Sequence, residues 1–315
     1  LGGFYNPNWT MKKIIDFFFA VPLNIIQDFG GFGVSLFFLS RGFLFTNNGK
    51  YKNECTRTLR KIVKIYMGCL MSFLMFYILQ RLVWLMKATY WSPFSLKQWM
   101  ESVTLLGYFT GNGDVINGTT WFLIPLFLFY ILRIGYARIY EKIGVEWSIL
   151  ILELVIAFIM TILKMIHFSV SSEMVFVYMP VAGMILGELF REDSKLSIKK
   201  GSALFLVNYL CMTAWIWVFA RQYHDTSFYL VSFMYSVALV VLFEVFNNKF
   251  KQNKVISFLC KISLSVYLVH MTFGSFLLTV FSFVHIPFTI SFVMTISIVF
   301  AISYIHMKVM DRIIK

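Results

Sequence analysis

The sequence predicts an all-α fold, a polytopic bundle of transmembrane helices, and three observations predict it. Hydrophobic residues make up 59% of the 315 positions and charged residues only 14%, with a mean hydropathy of +0.75. That leaves too little polar surface to coat a water-soluble globule of this length. The apolar residues come in runs long enough for a helix to cross a hydrocarbon layer of roughly 30 Å, without the alternation of a transmembrane barrel. Lys and Arg collect in every second connection between those runs.

Taken in order, the runs place spans at about 29–46, 62–86, 120–138, 148–166, 174–190, 202–220, 228–246, 262–283 and 288–308. One set of connections holds Lys50, Lys52, Arg57, Arg60, Lys61 and Lys64, then Arg133, Arg138 and Lys142, then Arg191, Lys195, Lys199 and Lys200. The same set continues with Lys249, Lys251, Lys254 and Lys261 and ends with Lys308, Arg312 and Lys315. The intervening connections hold only Lys87 and Lys97, Lys164, and Arg221, and the last holds none. Positive residues are retained on the cytoplasmic side, so the alternation predicts a multi-pass protein of the cell membrane with a cytoplasmic C-terminus.

This orientation puts residue 1 on the outer side. The segment IIDFFFAVPLNII (14–26) is too short to span and is interrupted by Asp16 and Pro22, so it is expected to lie at the interface or to re-enter. The expectation is therefore a single membrane-embedded domain over residues 1–315, with about nine spans and one helix missing ahead of Leu1.

The same topology accounts for the net charge of +13. The charge sits in short connections of the kind a membrane protein keeps inside, and no nucleic-acid partner is inferred. Cys55, Cys69, Cys211 and Cys260 fall in cytoplasmic connections or within spans, where free thiols are expected. No C-x-x-C or His pair has metal-ligand spacing, so neither a metal nor a bound cofactor is expected.

Four segments resemble, in order, those of the acyltransferase-3 family of integral membrane acyltransferases. They are GFGVSLFFLSRGFLF (31–45), RTLRKIVKIY (57–66), WFLIPLFLFYIL (121–132) and ISLSVYLVH (262–270), the last similar to the family's late Ser…Tyr-Leu-x-His pattern. Two departures stand out: Arg41 replaces the family's usual Ser, and Met67 stands where Pro often follows the basic segment. The resemblance also implies a basic residue followed eleven positions later by the catalytic His on the first membrane helix. No Lys or Arg stands eleven positions before any His of this sequence, which agrees with the expectation of a missing first helix.

Candidate site residues follow from these segments. Ser40 and Arg41, near the cytoplasmic end of their span, have two open roles. Arg41 can snorkel to the interface while Gly30, Gly31 and Gly33 allow close helix packing, or both residues can face a cavity holding the charged head of the acyl donor. Arg57, Arg60, Lys61 and Lys64 form a dense positive band just below the membrane, suited to the phosphates of coenzyme A. The family's R-x-x-R donor element matches either Arg57 and Arg60 literally or Lys61 and Lys64 by register, and a topogenic or lipid-binding role for the band is open as well.

His270 has an imidazole suited to general-base work and is the candidate catalytic residue, with helix packing as the alternative. Glu153, Glu188 and Glu244, towards the cytoplasmic ends of their spans, are expected to join helices. His167, His224 and His285 are expected at outer helix ends. The longest outer connection carries Tyr108, Asn112, Asp114, Asn117 and Trp121, an aromatic and amide-rich set suited to a sugar acceptor. Asn112, Asp114 and Trp121 are the candidate acceptor-binding residues, against the alternative of a turn-rich connector.

Together these readings point to a membrane-bound O-acyltransferase. It would move an acyl group, acetyl by expectation, from cytoplasmic acyl-CoA as co-substrate to a hydroxyl of a bacterial cell-surface carbohydrate or its lipid-linked precursor. The alternative is a polytopic transporter or glycan flippase, although the internal repeats common in transporters are not seen.

Overall fold

The computed structural model describes residues 13, 17, 21, 29–47, 53–85, 94–110, 115–167, 171–220, 226–246 and 253–313. Among these the regular structure is helical. The helices of eight residues or more are α1 (Phe29–Asn47), α2 (Glu54–Leu85), α3 (Leu96–Val103), α4 (Leu123–Ile143), α5 (Val145–Met165), α6 (Tyr178–Phe190), α7 (Ile198–Ala220), α8 (Thr226–Val245), α9 (Lys254–Phe283) and α10 (Phe288–Ile313). Six segments are long and apolar enough to cross a membrane, and Gly31–Thr46, Val175–Phe190 and Leu230–Val245 are shorter apolar helices. These nine segments coincide with the nine runs the sequence predicts, and the protein is a polytopic helical membrane bundle.

Several helices outrun their apolar stretches. α2 begins at Glu54 rather than near 62, and α9 begins at Lys254, so Arg57, Arg60, Lys61, Lys64, Lys254 and Lys261 are helical residues and not loop residues. A hydropathy window sees only the part of a helix that lies in lipid, whereas Lys and Arg are good helix formers in the wet turns beyond it. The 30 residues of α9 measure about 45 Å, longer than the hydrocarbon layer is thick. Asn253 caps its start, accepting from the Val255 amide at 2.8 Å.

The wide connection expected between 138 and 148 is a one-residue break. Gly144 has φ +82°, a conformation in which a side chain is strained. Its N–H donates to the Tyr140 carbonyl at 3.0 Å, closing α4, and its carbonyl accepts from the Ser148 amide at 3.2 Å, opening α5.

The chain divides into two compact units. The larger, residues 15–60 and 122–250, is built around α6. Every residue from Tyr178 to Glu188 is buried, the signature of a helix enclosed on all sides. α1 lies directly against it. A β-carbon on Gly42 would strike the Pro180 carbonyl, one on Gly183 the Leu39 carbonyl, and one on Gly187 the Thr46 hydroxyl. Glycine at these three positions lets the two backbones approach as they do in small-residue membrane helix pairs. Gly33, expected to serve this purpose, has nothing within 4 Å of where its β-carbon would be; the close approach comes at the other end of α1. α7 and α8 complete the surroundings, with Ser236 of α8 donating to the Phe32 carbonyl at 3.3 Å.

The second unit, residues 1–14, 61–121 and 251–315, is organised by the α9–α10 pair. Phe76 of α2 packs with Val269, Phe273 and Phe276 of α9 and Val299 of α10, and Trp99 of α3 and Phe94 cover this cluster. α3 is started by a capping box between Ser95 and Gln98.

Candidate functional site

Arg57, Arg60, Lys61 and Lys64 are all exposed on the first turns of α2. Their spacing of three, four and seven residues puts all four on one face of the helix. Glu54, three residues before Arg57 and at the edge of this row, is buried. It accepts from the Thr58 hydroxyl at 3.0 Å and pairs with Arg133 of α4.

Arg133, which the sequence places among the connecting cations, is a further candidate. It is 3% exposed, and its guanidinium lies 4.1 Å from the ring centre of Phe45 and 5.3 Å from that of Tyr130. Arg133 Nε is buried without a hydrogen-bond partner. An Arg inside the run WFLIPLFLFYILR was the available signal, because a cation within an apolar helix needs a specific partner.

Arg41 belongs to the same neighbourhood. It is half-buried, its guanidinium lies 4.7 Å from the ring centre of Phe37, and it acts electrostatically on both Tyr130 and Arg133. No carboxylate pairs with it among the described residues. Arg133 is paired with Glu54 while Arg41 next to it is not, so this part of the larger unit carries excess positive charge. Such an arrangement can attract an anionic group or stabilise a developing oxyanion. Ser40 is half-buried beside Arg41 in sequence.

His270 is exposed on α9. Its Nδ1 lies 2.8 Å from the Tyr267 carbonyl and 3.2 Å from the Val266 carbonyl. Carbonyl oxygens only accept, so Nδ1 is the donor and carries the proton. In the neutral ring Nε2 then holds the lone pair that a general base requires.

A second imidazole went unremarked in the sequence. His306 of α10 is 1% exposed, with Nε2 at 2.8 Å from the Gly68 carbonyl and Nδ1 at 2.9 Å from the Ser265 hydroxyl. By the same reasoning Nε2 donates to Gly68 and Nδ1 accepts from Ser265. Both ring nitrogens are engaged, and the side chain joins α2, α9 and α10. His167 and His285 stand at helix ends as expected, both with positive φ.

The acceptor candidates divide. Asn112 and Asp114 lie outside the described residues, as does His224. Trp121 is half-buried in the 3-10 turn Gly118–Phe122. Asn117, offered with them as a sugar-binding amide, is buried instead. Its Nδ2 donates to the Leu268 carbonyl at 2.9 Å and its Oδ1 accepts from the Thr119 hydroxyl at 2.6 Å. The Tyr108 hydroxyl donates to the Asn117 carbonyl at 3.1 Å, and Tyr267 to the Thr119 carbonyl at 3.3 Å. The NGTT turn is thus docked on α9, one turn from His270.

Of the membrane carboxylates, Glu188 is paired as expected. Arg191 Nη1 donates to its Oε1 at 2.9 Å and the Ser194 hydroxyl to its Oε2 at 3.1 Å. Arg191 also reaches the Thr46 carbonyl and the Tyr140 hydroxyl, joining α1, α4 and α6. Glu153 joins α5 to α7 through Asn208. The four cysteines are free.

No curated protein and no solved structure matches the chain. Residues 3–308, nearly all of it, match the acyltransferase-3 family, described as an acyltransferase domain. The chain therefore belongs to the acyltransferase-3 family and is a membrane acyltransferase.

Proposed function

We propose that this acyltransferase takes an acetyl group from acetyl-CoA on the cytoplasmic side and delivers it to a hydroxyl of a bacterial cell-surface carbohydrate or its lipid-linked precursor. The observation that carries the donor assignment is the row of Arg57, Arg60, Lys61 and Lys64 on one exposed face of α2. Four cations in register offer bidentate and point-charge contacts to the diphosphate and ribose phosphate of the donor. Arg41, with its Arg133 neighbour, supports a place for a further anionic or carbonyl oxygen. In this reading His270 Nε2 accepts the proton of the acceptor hydroxyl as that oxygen attacks the thioester carbonyl. The thiolate of coenzyme A leaves. Asn112, Asp114 and Trp121 are the residues proposed to hold the sugar.

The test is acetyl-CoA binding to the purified protein, with Arg57, Arg60, Lys61 and Lys64 replaced together by Gln. Each charge-assisted contact is worth about 1.5–3 kcal/mol, so affinity should fall by at least about tenfold. Unchanged affinity in a correctly inserted variant makes the row a topogenic signal and removes the donor assignment.

A further inference from the structure

A row of cations can grip phosphates only if the helix that carries it is fixed about its own axis. Charge-assisted hydrogen bonds hold donor and acceptor to about 2.7–2.9 Å. Turning a helix by about 20° carries side-chain atoms about 5–6 Å from the axis through about 2 Å, enough to break such contacts. The rotation of α2 must therefore be set where the row begins. Arg57 belongs to the first turn, its amide donating to the Asn53 carbonyl at 3.1 Å, and Arg60 follows one turn on.

The buried side of these turns is polar. Glu54 is 5% exposed and Thr58 0%, and the Thr58 hydroxyl donates to the Glu54 carboxylate at 3.0 Å. Glu54 also pairs with Arg133 of α4. The Arg133 guanidinium lies in turn against the rings of Phe45 of α1 and Tyr130 of α4, so it meets the carboxylate from a fixed direction. Apolar packing loses uniqueness of geometry before it loses stability, whereas a buried ion pair is favourable only in a geometry that satisfies both charges. For donor binding the charge of Glu54 has the wrong sign, since a carboxylate three residues from Arg57 repels an anion. Its value to the row is geometric.

We propose that Glu54 is a positioning residue for the donor row. Through its buried pair with Arg133 it fixes the rotation of the first turns of α2, and with it the direction in which Arg57 and Arg60 meet the phosphates of the acyl donor. This role rests on the reading of the row as the donor site, and Glu54 acts through the two arginines.

The experiment is equilibrium binding of acetyl-CoA to the purified, folded full chain. Glu54→Met removes a negative charge beside the row, so by charge alone the anionic donor would bind more tightly. Positioning requires the opposite sign, a Kd raised at least about fivefold. Glu54→Met combined with Arg133→Met strands no charge and serves where the single variant does not fold; it too should raise the Kd at least about fivefold. Arg57→Gln with Arg60→Gln weakens binding in the unaltered chain. In the Glu54→Met, Arg133→Met background the same two changes should add less than about twofold, because the contacts they remove are already lost. An unchanged or lower Kd in the Glu54 variants overturns the positioning role, as does full additivity of the two pairs of changes. The donor row survives either result as long as its four-residue Gln variant binds acetyl-CoA weakly. If that Gln variant binds as well as the unaltered chain, the donor row falls and the positioning role falls with it.

Discussion

The carbonyl oxygen of Leu39 occupies the place where a β-carbon on Gly183 would have to be. This contact fixes the separation of α1 and α6, the helix pair at the centre of the larger unit. Gly183→Ala should therefore destabilise the protein by about 1–3 kcal/mol or more, the range for overpacking in a rigid interior. Gly33→Ala, with open space at its β-carbon, should be neutral or stabilising by up to about 1 kcal/mol, as expected for a helical Gly→Ala change. Thermal unfolding in detergent checks both, and equal effects would refute the assignment of the close approach to the Gly42–Gly187 end.

The Glu54–Arg133 pair yields a prediction about direction of repair. Arg133→Met leaves a buried carboxylate without its cation and should cost about 3–5 kcal/mol. Adding Glu54→Met in the same chain removes the stranded charge and should recover most of that loss. A double variant no more stable than Arg133→Met would mean that the pair contributes through packing rather than charge.

His270 and His306 should separate function from stability. His306→Ala leaves the Gly68 carbonyl and the Ser265 hydroxyl without their buried partner and should lower stability by about 1–3 kcal/mol. His270→Ala, at an exposed position bonded only to its own helix, should leave the unfolding midpoint nearly unchanged while acyl transfer falls by about 100-fold or more. Full transfer activity in His270→Ala would exclude it as the base.

Orientation can be read with a membrane-impermeant thiol reagent on intact cells. Cys55 lies in the first turns of α2 and Cys260 in those of α9, both exposed and both on the side the basic residues assign to the cytoplasm. The unaltered protein should not be labelled until the membrane is opened. Lys97→Cys, at an exposed position of α3, should react from outside. Labelling of Cys55 in intact cells would reverse the topology and the cytoplasmic donor assignment with it.

The sequence alone determined the solvent of this protein, the number and order of its apolar helices, and its family. Hydrophobic runs and basic residues are local properties, and each helix satisfies its own backbone in lipid. Four short segments in order sufficed for the family, and the spacing of Arg57 to Lys64 already put those charges on one helical face. What only the tertiary structure decided is which partners meet across the chain. Glu54 and Arg133 are 79 positions apart, Ser265 and His306 are 41, and Glu153 and Asn208 are 55. Nothing in the periodicity of one helix states which face another helix will meet. The same holds for Gly42 and Gly183: their need for glycine arises from a neighbouring backbone, whereas a β-carbon on Gly33, an equally plain glycine in the sequence, would meet nothing within 4 Å among the described residues. Asn117 shows the reverse case, an amide whose composition suits a sugar but whose hydrogen bonds are taken up by Leu268 and Thr119 once the turn docks on α9.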